Sequence, residues 1–208
     1  MKQAIWYFDF VSPFAYLHAA QLATLSCRIE PRPVLFAALL DHWGQKGPAE
    51  IESKRAYTYR YLQWVAAKRG IPFRMPATHP FNPLPFLRLA VAVKADLAVI
   101  NTIFEALYTT AEDPSDPAVW ASLCSRLDVE DGNAVVSQPW VKSALRDNFD
   151  AAIAAGVFGV PTVVVDGLVF WGEDSLPMLR DYLANPELVR TAEMERVAGI
   201  RASATRKT

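Results

Sequence analysis

The sequence predicts an α/β fold in which a large all-helical insertion interrupts a layer of strands and helices. Three observations predict it. An aromatic-rich apolar run, Gln3–Phe10, passes through Val11-Ser12-Pro13 into a helical pattern. From about residue 37 to 150 one helical pattern follows another. Strands then return: Asp166-Gly167 lies between the apolar runs Thr162–Asp166 and Leu168–Trp171 and marks a two-residue hairpin.

Each element has a physical reason. Gln3–Phe10 is short, apolar and closed by a turn, as a buried strand is. Pro13–Ser26 reads as a helix with Ser12 as N-cap and proline at its first position, where a missing N–H costs nothing. Phe14, Leu17, Leu22 and Leu25 share one stripe of that helix and should face the core. Ile29–Phe36 reads as a second strand whose prolines, Pro31 and Pro33, suit a sheet edge. A strand–helix–strand unit this short implies a parallel pair and a right-handed crossover.

The middle of the chain is punctuated by breakers. Ser53–Arg69 is a helix stopped by Gly70-Ile71-Pro72, and Pro72–Pro85 holds five of the fifteen prolines, an extended and rigid loop. Leu84–Ala95, Leu97–Ala111, Pro117–Leu127 and Gln138–Ala155 read as helices, with Asp113–Pro117 as a break and Gly156 as a stop. Leu176–Ala184 is a helix after the hairpin, and Glu187–Thr208 reads as a polar helix fraying into a basic, disordered tail. The expected division is residues 1–37 with 150–208 as one discontinuous domain and 38–149 as the helical insertion.

Composition narrows the function classes. With 208 residues and 52% apolar content the chain can bury a full core. A net charge of -1 argues against a nucleic-acid or membrane-surface partner, and runs such as Leu89–Val93 are too short to span a bilayer. Residues 1–10 lack the pattern of a secretory signal, so a cytoplasmic protein is expected. Cys27 and Cys124 are 124 − 27 = 97 positions apart and form no C-x-x-C pair; they read as small buried hydrophobes. His18, His42 and His79 have no metal-ligand spacing, and no metal site is expected.

Ser12 is the most telling residue. A strand that feeds a helix through Ser-Pro leaves unpaired N–H groups and the positive end of the helix dipole at the turn. A thiol bound there would be favoured as its thiolate by the dipole and by the serine hydroxyl, and so become a better nucleophile. The plainer reading of Ser12 is a helix cap.

Three motifs then carry a resemblance. Ser12-Pro13-Phe14, Gly159-Val160-Pro161-Thr162 and Phe170-Trp171-Gly172-Glu173-Asp174, in this order and spacing, resemble those of the kappa-class glutathione transferases and 2-hydroxychromene-2-carboxylate isomerases. These belong to the wider disulfide-bond-forming, DsbA-like group, so the resemblance implies a thioredoxin-like fold carrying the helical insertion. Such folds hold a reactive cysteine where Ser12 stands and a cis-proline where Val160-Pro161 stands.

The resemblance implies glutathione as cofactor. Ser12 would bond its sulfur and Val160, ahead of Pro161, would pair through its backbone with the cysteinyl part. Glu173 and Asp174 would hold the γ-glutamyl end, and Lys54 and Gln45 would approach the glycyl carboxylate. Asn82 and Arg88 would face an aromatic substrate's carboxylate or keto groups, with Phe14 as an apolar wall. Each of these also has a plain reading: Asp174 as a helix cap, Lys54 as a solvated lysine, Asn82 and Arg88 as ordinary surface residues. Tyr61 and Ser175 depart from the family, which often has aspartate and arginine there. Tyr57, Tyr61 and Trp64 share a helix side and read as core or pocket wall.

The implied activity is a glutathione-dependent isomerisation of 2-hydroxychromene-2-carboxylate to trans-o-hydroxybenzylidenepyruvate, in a homodimer. A kappa-type transferase is the alternative enzyme, and a non-catalytic thioredoxin-like module that binds peptides or thiols is the alternative of another class. A dithiol oxidoreductase is disfavoured, since neither cysteine lies at the turn.

Overall fold

In the computed structural model, which describes residues 1–204, β1 (Gln3–Phe8) lies inside a four-stranded sheet of order β2-β1-β3-β4. β2 (Arg28–Pro33) pairs with β1 in parallel, and β3 (Thr162–Val165) and β4 (Leu168–Trp171) follow in antiparallel order. The prolines of β2 stand at an edge, where a lost N–H breaks no ladder. Asp166 and Gly167 both adopt positive φ, 50° and 78°, the geometry of the tight hairpin that joins β3 to β4.

The helices are α1 (Pro13–Leu22), α2 (Phe36–His42), α3 (Glu52–Arg69), α4 (Leu84–Ala92) and α5 (Leu97–Tyr108). After them come α6 (Pro117–Arg126), α7 (Gly132–Ser137), α8 (Pro139–Ala154), α9 (Leu176–Ala184) and α10 (Ala192–Ala198). The expected long C-terminal helix is instead a 3-10 turn, Pro186–Val189, followed by α10. The last four residues of the expected tail lie outside the described residues.

Both faces of the sheet are covered, because successive strand side chains point to opposite sides. Ala4, Trp6 and Phe8, with Phe10 beyond them, enter a large core with α1, α4, α5 and α9. Tyr7 and Val164 enter a smaller one with Val34, Leu39 of α2 and Val157. α1 is buried on more than its expected stripe: Tyr16, His18 and Ala19 are buried as well as Leu17 and Leu22. It is packed by α5 and by the turn that precedes α9, so little of it meets water.

Several helices end earlier than their sequence pattern. α4, α5 and α6 stop ahead of Lys94, Ala111 and Asp128, which turn left-handed with φ of 49°, 62° and 54°. Because none of the three is a glycine, the sequence carries no stop signal there. α7 also escapes the sequence reading. It is one short segment capped by Asp131, whose Oδ1 accepts from Ala134 N–H at 2.9 Å. Gly132 at its start leaves no room for a side chain, since a Cβ there would sit 2.4 Å from Cys124 Sγ.

Candidate active site

Ser12 caps α1 through its Oγ, which accepts from Ala15 N–H at 3.3 Å; its carbonyl receives the same N–H at 2.9 Å. Its own N–H donates to Asp9 O at 3.1 Å. Serving as acceptor leaves the hydroxyl proton available to donate elsewhere. The residue is only 6% exposed, so water screens that hydroxyl weakly. Cap and donor are compatible roles of one oxygen.

Strand pairing brings the second motif alongside. Tyr7 pairs with Thr162 at the end of the antiparallel β1–β3 ladder, so the segment after β1, which holds Ser12, and the segment before β3, which holds Val160, leave the sheet at the same end. The Val160-Pro161 peptide is cis. Thr162 Oγ1 donates to Gly159 O at 2.7 Å and fixes the turn. Among the described residues no hydrogen bond engages the N–H or C=O of Val160, which leaves both for an added extended segment.

Gly172 N–H donates to Pro161 O at 2.9 Å and delivers the third motif, a 3-10 turn over Glu173–Ser175 that packs against α1. The Glu173 carboxylate is buried, and its Oε1 is paired with Arg69 at the end of α3. Asp174 is exposed, and its Oδ1 lies over Gly172, where an added Cβ would sit 2.5 Å from it.

Asp9 and His79 support the Ser12 turn and were not singled out by sequence. Asp9 is fully buried; Oδ1 accepts from Val11 N–H at 2.9 Å and Oδ2 from Phe36 N–H at 2.7 Å. Burial pushes its carboxyl up to about 7, against the pull of these amides. His79 Nε2 lies 2.7 Å from Val11 O and its Nδ1 lies 2.6 Å from the Tyr59 hydroxyl. Since a carbonyl only accepts, Nε2 carries the proton and Nδ1 accepts from Tyr59. Burial holds His79 below its ordinary value. The signal for Asp9 was present, a lone carboxylate inside an aromatic strand; His79 carried no signal.

The raised Asp9 value has a measurable sign. Above about pH 4 the unfolded chain releases this proton while the folded chain keeps it until about pH 7. Stability should therefore fall as pH rises through that window, and Asp9→Asn should flatten the Asp9 part of the slope. Urea unfolding at several pH values checks this; an unchanged slope in the variant would show that Asp9 has an ordinary value.

The other expected residues are spread more widely. Phe14 is half-buried, its ring 6.3 Å from Tyr61, which stacks on Tyr57 and meets Trp64 at a tilt along α3. Gln45 lines a cavity of about 500 Å³ with Gly44, Lys46 and Ile51. The preceding Trp43 donates its indole N–H to Val157 O at 3.0 Å, which ties this loop to the segment before Val160. Lys54, exposed in the first turn of α3, does not line that cavity. Asn82 Oδ1 accepts from Leu84 N–H at 3.1 Å and serves the start of α4, on the loop that His79 anchors to Val11. Arg88 is half-buried, and its Nε is buried without a partner among the described residues. Among the described residues no hydrogen bond joins Asn82 or Arg88 to Ser12.

Cys27 and Cys124 are both buried, unpaired thiols whose values burial raises, so neither is an activated nucleophile. Among the described residues, no helix is long and apolar enough to cross a membrane.

Residues 4–184 match the DSBA-like thioredoxin domain. The chain is similar to a 2-hydroxychromene-2-carboxylate isomerase of Sphingobium xenophagum, 29% identical over 191 residues, covering 88% of this chain and 98% of that protein. It is also similar to glutathione S-transferase kappa 2 of Caenorhabditis elegans, 27% identical over 209 residues, covering 89% of this chain and 93% of that protein. A solved 2-hydroxychromene-2-carboxylate isomerase superposes with a TM-score of 0.75 at 25% identity, over 92% of this chain and 98% of the other. With the strand-Ser-Pro-helix turn, the cis Val160-Pro161 peptide and the strand order all in place, the chain belongs to the family of DSBA-like thioredoxin domains.

Proposed function

We propose that the protein is a glutathione-dependent isomerase of the 2-hydroxychromene-2-carboxylate type. The observation that carries this reading is the convergence of a capping serine with a spare hydroxyl proton and an unengaged Val160 backbone at one end of the sheet. A dithiol enzyme would need a cysteine at that turn, and both cysteines are buried elsewhere. Relatives similar over nearly the whole chain bear both the isomerase and the kappa-transferase names.

Glutathione fits the residues present. The unpaired N–H and C=O of Val160 match the backbone of an extended peptide, and the amides around Glu173 with the open Asp174 carboxylate match an α-amino acid end. The buried Glu173 acts from behind, through Arg69. Lys54 and Gln45 are the residues proposed for the glycyl carboxylate. When bound, glutathione supplies a thiolate that adds to the conjugated substrate and leaves again after ring opening and bond rotation, so nothing is consumed. Ser12 donates its hydroxyl to the sulfur and, with the α1 N-terminus, favours the anion. Phe14, Arg88 and Asn82 are proposed to face the aromatic substrate, Arg88 because its unpartnered guanidinium edge suits a planar carboxylate.

On this reading residues 38–149 form the substrate-side insertion over a domain made of 1–37 and 150–208, the enzyme is cytoplasmic, and the working unit is a homodimer. The kappa relative favours a second reading: transfer, in which the C–S bond persists and a leaving group departs. Two parallel assays decide. One follows a chromene carboxylate with and without glutathione; the other follows a chlorodinitrobenzene-type electrophile. Glutathione-dependent isomerisation without glutathione loss supports the proposal, and conjugation alone supports the transferase. Binding without any turnover identifies a non-catalytic module and removes both.

A further inference from the structure

We propose that Asp9 is a positioning residue for Ser12: its buried carboxylate fastens the Val11–Ser12 turn to the start of α2, and the fastening requires the ionised form. This rests on the glutathione reading only for its catalytic consequence.

Three bonds make the fastening. One carboxylate oxygen takes Val11 N–H, the other takes Phe36 N–H, and the Asp9 carbonyl takes Ser12 N–H. Phe36 is the first residue of α2, and the residue before it, Leu35, gives that helix no side-chain cap. Asp9 therefore caps α2 from another part of the chain while holding the loop whose next residue is the proposed hydroxyl donor. A carboxylate suits this place because both oxygens face an N–H donor. A carboxylic acid presents one hydroxyl oxygen, a poor acceptor, so one of the two amides must lose its partner.

The surroundings make that loss reachable at ordinary pH. Asp9 is wholly buried, and burial rather than a neighbouring charge dominates its titration. The titratable groups around the junction are Tyr108 of α5, whose hydroxyl donates to Phe10 O at 2.9 Å, Tyr59 of α3, and His79. Burial raises Tyr108 and Tyr59 and lowers His79; Arg55, the charge felt by Tyr59 and His79, is not among the influences on Asp9. Burial thus moves Asp9 toward neutrality and moves these neighbours away from it. Acidification would release either the turn or α2 and let the Ser12 hydroxyl drift from its aim.

The test has two arms. In the free, unmodified protein, nuclear magnetic resonance follows the Asp9 side-chain carbon and the Val11 and Phe36 amide protons between pH 5 and 9. A shared midpoint near 7 is expected from the raised carboxyl. Amides that do not move with the carboxyl overturn the proposal, whatever the enzyme does. In the second arm, Asp9→Asn is expected to lower kcat about tenfold, as a misaimed donor does, with the KM for glutathione within about twofold of the parent. The acid limb of kcat near pH 7 should vanish in that variant. Parental kcat with an unchanged pH profile overturns the positioning role. If the parent protein shows no glutathione-dependent turnover, the functional reading has failed, and the first arm alone decides whether the latch exists.

Discussion

Ser12→Ala is expected to lower glutathione-dependent turnover by about 10- to 100-fold, the worth of one charge-assisted hydrogen bond of about 1.5–3 kcal/mol. Glutathione affinity should change little, because the Val160 backbone and the turn at Glu173–Ser175 hold the peptide and the hydroxyl meets only the sulfur. Alanine also removes the cap on Ala15 N–H, a loss of about 0.5–2 kcal/mol in stability. Ser12→Gly separates the two roles, since glycine at an N-cap costs only a few tenths of a kcal/mol yet supplies no hydroxyl. Steady-state kinetics beside urea unfolding gives the answer. Equal turnover losses in both variants, with a smaller stability loss in the glycine variant, is the expected pattern. Full turnover in the glycine variant would return Ser12 to a helix cap and nothing more.

Phe104→Ala should be the most damaging core substitution of the insertion. Phe104 is fully buried on α5, and its ring lies 6.4 Å from Trp6, 6.0 Å from Phe8, 4.8 Å from Phe10 and 5.9 Å from Tyr16. One side chain of the insertion thereby packs on the aromatic row of β1 and on α1 together. Removing such a ring costs about 3–5 kcal/mol, and the melting temperature should drop by roughly 6–20 °C. Phe104→Leu, which keeps most of the volume, should lose much less. A calorimetric shift of only a degree or two for the alanine variant would mean that α5 is not anchored through this ring.

The sequence made the frame legible because its signals are local. Ser-Pro after an apolar strand, proline on alternate positions of β2, and Asp-Gly between two short apolar runs each determine their own neighbourhood, and each appears where expected. The motifs at residues 12, 160 and 172 were also recognisable, because strand order alone brings them to one end of the sheet. What stayed hidden depends on partners far along the chain. Glu173 looked like an open carboxylate until Arg69, 104 residues away, was seen to take it. Asp9 has no partner nearby in sequence for its second carboxylate oxygen, which takes the amide of Phe36 at the β2–α2 junction. The ends of α4 and α5 were misplaced because left-handed Lys94 and Ala111 leave no mark in composition.

The position of β1 has a consequence for how the chain is made. Its neighbours in the sheet are β2, which follows almost at once, and β3, which begins 162 − 33 = 129 residues after β2 ends. At synthesis rates of about 5–20 residues per second, roughly 6–26 s separate the two pairings on the ribosome. During that interval one edge of β1 stays unpaired, while Trp6, Phe8 and Phe10 can be sheltered by α1 and by the newly made helices that share their core, α5 among them. The helical insertion thus emerges in time to cover the aromatic face before the sheet can close, while the open edge of β1 waits for β3.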